Sequence, residues 1–240
     1  YYESVLAISS DISTLSSCSE LKLKIKALNG LGTIYQTLAQ YQSAIKYFQQ
    51  AQVLATESEN NQSKLQALGN LGNIYYALRQ YRTAIAYYQE FLKLSDGKDL
   101  VELEFSVIGN LGNAFYNLKE YQTGIGYQQK YLEVAQTIGN SEKEAGCLVS
   151  LGFAYYALGL YQTAIQYYNQ AKAIADRCNY KRIQVSVFSG LGLSYQALKN
   201  YPTAVICFHK CLEVARQVGD RAAEVRALYN LRKANSYQLI

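Results

Sequence analysis

The chain carries few side chains of the kind that perform chemistry. Cys207-x-His209-x-Cys211 brings together three potential metal ligands, the composition of a thiolate–imidazole zinc site. On a helix, however, His209 points roughly 160–200° away from both cysteines, so one ion could not collect all three. Cys207 and Cys211, four apart, share a face and read as core packing, the common place of a free cysteine. His209 is the single histidine of the sequence, which leaves no second imidazole for a proton relay. The GNLGN segments Gly69–Asn73 and Gly109–Asn113 resemble phosphate-binding loops in composition only, because they fall inside helical periodicity, where the N–H groups are already bonded. These features predict a chain without catalytic residues, a metal or a cofactor.

What remains is a set of amides and tyrosines. Asn73 and Asn113 stand one repeat apart, and asparagine carries both donors and an acceptor that can pair with a peptide amide whatever its sequence. Tyr76, Tyr116 and Tyr156 supply contact area at low entropic cost, with a polar tip. This is the chemistry of holding a backbone. The alternative, that the asparagines bond locally and keep adjacent helices in register, stays open at this point.

The elements that position these residues are repeats. Leu71-Gly72 recurs as Leu31-Gly32, Leu111-Gly112, Leu151-Gly152 and Leu191-Gly192, a spacing of 40 residues. Tyr41, Tyr81, Tyr121, Tyr161 and Tyr201 keep the same register, as do Ser43, Thr83, Thr123, Thr163 and Thr203. Within Lys64–Leu78 the apolar residues Leu65, Leu68, Leu71, Ile74, Tyr75 and Leu78 have the spacing of a helix with one buried stripe. A second helix is predicted from about Arg82 to Leu94, and Pro202 falls in the first turn of its equivalent, where a missing N–H costs little. Glycine inside a helix costs about 1 kcal/mol relative to alanine. The Gly32, Gly72, Gly112, Gly152, Gly192 column therefore predicts a close approach of the two helices, with the small residues Ala44, Ala84, Gly124, Ala164 and Ala204 as the other half of the contact.

Columns such as Leu68, Leu71-Gly72, Tyr75, Ala84 and Tyr88 resemble the consensus of the tetratricopeptide repeat. The 40-residue period resembles the subclass found in LGN/Pins and kinesin light chains, and the arrays of bacterial, especially cyanobacterial, signalling proteins. The resemblance implies an all-α fold, a right-handed α-solenoid of antiparallel helix pairs, whose first helices line a concave groove that holds a peptide. Departures are specific. The closing proline of the shorter unit is replaced by Thr56, Asp96, Gln136, Asp176 and Arg216. The arginine with which LGN-type arrays meet acidic ligands is kept at Arg226 and partly matched by Lys26, whereas Gln66, Ser106, Gly146 and Ser186 stand elsewhere in that column.

The repeats organise the chain as five units, 25–64, 65–104, 105–144, 145–184 and 185–224, expected to form one continuous array. Residues 1–24 read as a partial preceding repeat and a serine-rich linker, since Tyr1–Ser9 resembles the second-helix stretch Tyr87–Ser95. Residues 225–240 read as a partial sixth repeat or cap, with Arg232 and Asn235 in place of the packing Gly and Tyr. With Tyr1 at the start and no Met, the sequence is expected to be an excised fragment. Charged residues are 17% of the chain and the net charge is +5, too diffuse for a nucleic-acid or anionic-membrane surface; Lys22, Lys24 and Lys26 read as a solvated face. Five irregularly placed cysteines predict reduced thiols and a cytoplasmic location, and neither a membrane span nor a signal peptide is visible.

The groove implied by the resemblance runs through Asn29 and Thr33, then Gln66, Asn73 and Tyr76, then Asn113, Tyr116 and Asn117. It continues through Phe153 and Tyr156 to Leu193 and Gln196, and ends at Arg226. It is polar first and apolar later, which predicts a ligand with a backbone-read segment followed by a hydrophobic anchor. The expected function is a non-catalytic scaffold for a protein or peptide partner. The alternative is a regulatory or sensor segment of a larger bacterial signalling enzyme, joined to a caspase-like or nucleotide-hydrolysing domain. Self-association through the terminal repeats is a further expectation.

Overall fold

The structure, a computed structural model, describes residues 18–95 and 101–238. Among these the fold is all-α, with a helical solenoid arrangement of α1 (Cys18–Thr37), α2 (Tyr41–Glu57), α3 (Asn61–Ala77), α4 (Tyr81–Leu94), α5 (Val101–Asn117) and α6 (Tyr121–Thr137). It continues with α7 (Ser141–Ala157), α8 (Tyr161–Arg177), α9 (Lys181–Ala197), α10 (Tyr201–Gln217) and α11 (Arg221–Gln238). Odd-numbered helices are the first of each pair and even-numbered ones the second. The stretch resembling a second helix, Tyr1–Ser9, lies outside the described residues. Helix pairs begin a few residues ahead of the unit boundaries read from periodicity, and polar caps start the second and fourth of them. The Asn60 side chain accepts from Ser63 N at 3.1 Å, and Asn140 accepts from Lys143 N at 3.0 Å.

The helices cluster into two compact units, one ending at Leu118 and one beginning at Lys119, so the division falls inside the third repeat. In the N-terminal unit α1/α2 and α3/α4 are antiparallel pairs and α5 packs on α4. In the C-terminal unit α6 packs on α7, α7/α8 and α9/α10 are pairs, and α11 closes against α10.

Each described turn between helices reverses the chain through one residue in the left-handed region. Ala39 has φ 57°, and the flanking bonds Gln40 N to Tyr35 O (2.9 Å) and Ala39 N to Gln36 O (3.0 Å) make a Schellman-type closure. Arg79, Lys119, Gly159 and Lys199 repeat it.

The glycine column is explained by rings. A methyl group on Gly32 would stand 2.6 Å from the Phe48 ring, and on Gly192 2.5 Å from Phe208; Gly72 and Gly152 meet Tyr88 and Tyr168 still more closely. The expected close approach is present, but its other half is this aromatic column, one turn beyond the small residues of the Ala44 column. Ala44, Ala84, Ala164 and Ala204 are themselves fully buried. A stacked tyrosine pair between first and second helix, Tyr35–Tyr47, Tyr75–Tyr87 and Tyr155–Tyr167 at 5.1–5.3 Å, sits beside the first three of these contacts in chain order, and Cys207 takes the second tyrosine's place in the fourth. Phe48, Tyr88, Tyr168 and Phe208 are fully buried, each worth about 1.5–3 kcal/mol in burial alone.

Successive pairs are tied by polar contacts across the turn between them. Gln136 donates to Glu144 at 3.1 Å, Gln184 donates to Asp176 at 2.7 Å, and Arg216 pairs with Glu224 at 3.0 Å. No described helix is long and apolar enough to cross a membrane.

Candidate functional site

The first-helix face left over from pairing is chemically different in the two units. In the N-terminal unit its polar side chains are engaged with one another. The Asn73 carbonyl accepts from the Tyr88 hydroxyl at 2.7 Å and from the Asn110 amide, one repeat on, at 2.8 Å. The Asn117 amide donates to Tyr76 Oη at 3.1 Å and to the Asn113 backbone carbonyl at 2.8 Å. Burial pushes the Tyr88 hydroxyl far above its ordinary pKa, with the Asn110 hydrogen bond opposing, so it remains a donor at any physiological pH. This network joins α3, α4 and α5, the register-holding role that periodicity left as one of two readings.

Other predicted residues fall as follows. Thr33 and Gln66 are exposed, and the Thr33 hydroxyl donates back to the Asn29 backbone carbonyl at 2.9 Å. Tyr76 is half-buried with its ring against Tyr81 at 5.4 Å, and Tyr116 is half-buried. Asn29 is not on the open face as expected: it is 4% exposed, and neither atom of its amide has a partner. The reason lies in its column. At Gly69, the same place one repeat on, a side chain would point between helices toward Phe91 (3.8 Å) and Leu103 (3.9 Å). The first repeat has Asn29 with Ala51 and Ser63 in those places, so the larger side chain is on the first helix instead of the second.

Asn29 forms part of an open trough of about 1320 Å³ between α1 and α3. Lys22, Lys26 and Thr33 line it from α1, Gln62, Gln66 and Asn70 from α3, and the Ser58–Asn61 turn and Leu103 complete it. Lys22 and Gln62 were not singled out for the groove by sequence reasoning, although their spacing of four from Lys26 and Gln66 places each pair on one helix face.

In the C-terminal unit the face is aromatic and aliphatic. Phe153 meets Tyr168 edge-on at 5.5 Å, Tyr156 packs on Tyr161 at 5.4 Å, and Leu193 is half-buried against the core. Gln196 is half-buried with its carbonyl oxygen enclosed and unpartnered, and Arg226 is exposed on α11.

The thiols are placed for packing. Burial raises Cys147 to about 12 and Cys211 to about 11, and Cys207 upward as well, so all three are thiols at neutral pH and poor nucleophiles. Cys147 donates to the Gln128 backbone carbonyl at 3.0 Å, and Cys211 to the Val185 carbonyl at 3.4 Å. His209 is exposed while Cys207 and Cys211 are buried, the divergence expected for a helix.

The profile of the tetratricopeptide repeat matches residues 24–96 and 103–177, and a second profile with the same description matches 187–222. No curated protein sequence matches the chain. Among solved structures, BtubC (BKLC) from P. vanneervenii is similar at 18% identity and TM-score 0.74, over 91% of this chain and 88% of that one. A Rap protein complexed with Competence and Sporulation Factor is 18% identical at TM-score 0.68, over 97% of this chain and 69% of that one. The signal transduction ATPase with a tetratricopeptide repeat sensor from Pyrococcus horikoshii is 20% identical at TM-score 0.68; the match takes in 98% of this chain but 38% of that one.

Proposed function

The chain belongs to the tetratricopeptide repeat family, and from that premise we propose that it is a non-catalytic, cytoplasmic scaffold that binds a segment of a protein partner on its first-helix faces. The observation that carries this reading is the division of labour on those helices. The Gly, Leu and Tyr columns are consumed by pairing, while Thr33, Gln66 and Arg226 stay exposed and an open trough lies between α1 and α3. A neighbour held in complex with Competence and Sporulation Factor is a precedent for a partner on this fold. Site-specific photocrosslinking tests it. A benzophenone side chain at Gln66 or Arg226 should capture a partner from native lysate, and one at the exposed second-helix position Gln49 should not. Capture from Gln49 alone would move the site to the second helices.

A second reading is favoured by the likeness to part of a larger ATPase that has a tetratricopeptide repeat sensor. In it the chain is the regulatory segment of a signalling enzyme, and groove occupancy controls a caspase-like or nucleotide-hydrolysing domain. Nucleotide hydrolysis or proteolysis by the protein carrying its native flanking sequence, measured with and without Gln66→Arg, separates the two. A change in catalytic rate supports the sensor, and an unchanged rate leaves the scaffold.

A further inference from the structure

We propose that the stacked pairs Tyr35–Tyr47, Tyr75–Tyr87 and Tyr155–Tyr167 are oxidative modification sites, where a peroxide-driven one-electron oxidant couples the two rings into dityrosine. Each pair has one member on a first helix and one on its second, so the new bond staples a helix pair covalently. These sites lie within helix pairs, apart from whatever the first-helix faces bind.

Three features set these pairs apart from the other tyrosines. The rings are close and nearly parallel, at 5.3 Å and 12°, 5.3 Å and 7°, and 5.1 Å and 8°. The unpaired electron of a tyrosyl radical occupies orbitals perpendicular to the ring, on the oxygen and on the carbons ortho and para to it. Stacking aims two such orbitals at each other. Tyr76–Tyr81 and Tyr156–Tyr161 are about as close, at 5.4 Å, but inclined by 64° and 52°, so their orbitals diverge.

The hydroxyl ends also lie side by side. Burial and then the neighbouring Tyr87 hydroxyl raise the pKa of Tyr75, and burial and then Tyr167 raise that of Tyr155. The ortho carbons flank the hydroxyl-bearing carbon, so they are brought together with it. Finally, the six rings are half-buried: a small oxidant reaches them, while packing against the core holds the two reactants in place. Helix pairing itself does not demand two phenols, since repeats three and five have Phe115 and Cys207 in these columns.

In the coupling, each phenol gives one electron and its hydroxyl proton to the oxidant. The two radicals pair their electrons in a C–C bond between ortho carbons, and the hydrogens on those carbons move to the oxygens, restoring both hydroxyls. The net change is that two tyrosines and one hydrogen peroxide become one dityrosine and two waters.

The test treats the full chain, dilute enough that copies rarely collide, with a haem peroxidase and limiting hydrogen peroxide, and maps crosslinked peptides by mass spectrometry. Links should join Tyr35 to Tyr47, Tyr75 to Tyr87 and Tyr155 to Tyr167 within one monomer, each with loss of two hydrogen atoms. Tyr201–Tyr237, stacked at 5.2 Å and 22°, should follow. Dityrosine fluorescence should fall at least about threefold in Tyr47→Phe/Tyr87→Phe/Tyr167→Phe, which keeps the rings and Tm but not the phenols, and should persist in Tyr81→Phe/Tyr161→Phe. Oxidised protein should unfold at higher urea than untreated protein, because a crosslink restricts the unfolded chain. Links chiefly at Tyr76–Tyr81 or Tyr156–Tyr161, links chiefly between copies, or the same pattern after oxidation in urea would overturn the role of stacking. An unchanged urea midpoint would overturn the staple.

Discussion

The two units carry the same repeat but offer different surfaces. In the N-terminal unit the column after Leu-Gly holds Asn73, whose carbonyl joins Tyr88 and Asn110. In the C-terminal unit it holds Phe153, edge-on to Tyr168, and Leu193, packed against the unit's hydrophobic core. The aromatic ring against the glycine is in the same place in both. A repeat of this kind can therefore change what its open face presents without changing how its helices pair, because pairing is carried by other columns. The polar version also ties adjacent first helices together through the Asn110–Asn73 hydrogen bond, whereas the ring contacts of the apolar version, Phe153–Tyr168 and Tyr156–Tyr161, stay within one helix pair.

The strongest test of this separation uses two glycines on one helix. Gly152→Ala on α7 should destabilise the C-terminal unit by about 1–3 kcal/mol, since the added methyl collides with the Tyr168 ring and its better helix propensity does not compensate. Gly146→Ala on the same helix has nothing within 4 Å of the added methyl and should stabilise by about 0.5–1 kcal/mol. Urea midpoints at constant m-value decide both. Equal effects would mean that the glycines serve flexibility instead of contact.

Tyr88→Phe probes the polar version. Removing the hydroxyl takes one donor from the Asn73 carbonyl and should cost about 1 kcal/mol. The loss should appear as faster amide exchange across α3 and α5, with α8 and α9 unaffected. An α3 that exchanges no faster would show that Asn110 alone holds the register.

The turns give a smaller contrast. The left-handed position is Ala39, Glu59 and Arg79 in the N-terminal unit, whereas the C-terminal unit alternates glycine at Gly139, Gly159 and Gly219 with side chains at Lys119, Asn179 and Lys199. Arg79→Gly should stabilise by up to about 1 kcal/mol, the side-chain penalty of that conformation exceeding glycine's entropic cost, and Gly159→Ala should lose a similar amount. Thermal melts of the pair would expose any turn whose side chain makes a compensating contact.

The smallest effect concerns Asp176. Burial pushes its pKa up, but hydrogen bonds from Lys172 and Gln184 together hold it below the ordinary aspartate value. A depressed folded pKa means that its stabilisation is present above the unfolded value, near 3.9, and lost as pH falls through the folded one. Asp176→Asn should flatten the acid limb of the stability curve slightly and leave neutral pH almost untouched. An unaltered acid limb would remove Asp176 from the inter-repeat tie.

Much of this was legible in the residues. Leu-Gly every 40 positions, the stripe Leu65–Leu68–Leu71–Ile74–Tyr75 and the Tyr41 column are local and periodic, and helices and pairing follow from them. The divergence of His209 from Cys207 and Cys211 was also determined locally, by helix geometry. What the sequence could not settle was which amide meets what. A wheel gives a direction to within a turn, but whether that direction is open depends on the neighbouring repeat. Asn29 is buried because Ala51 and Ser63 leave room where Phe91 and Leu103 fill it one repeat later, and Asn73 is engaged because Tyr88, not phenylalanine, lies opposite. Periodicity determined the elements and their partners. Only the packing of one repeat on the next decided which side chains were left to bind, because burial and hydrogen bonding are properties of the contact and not of the residue.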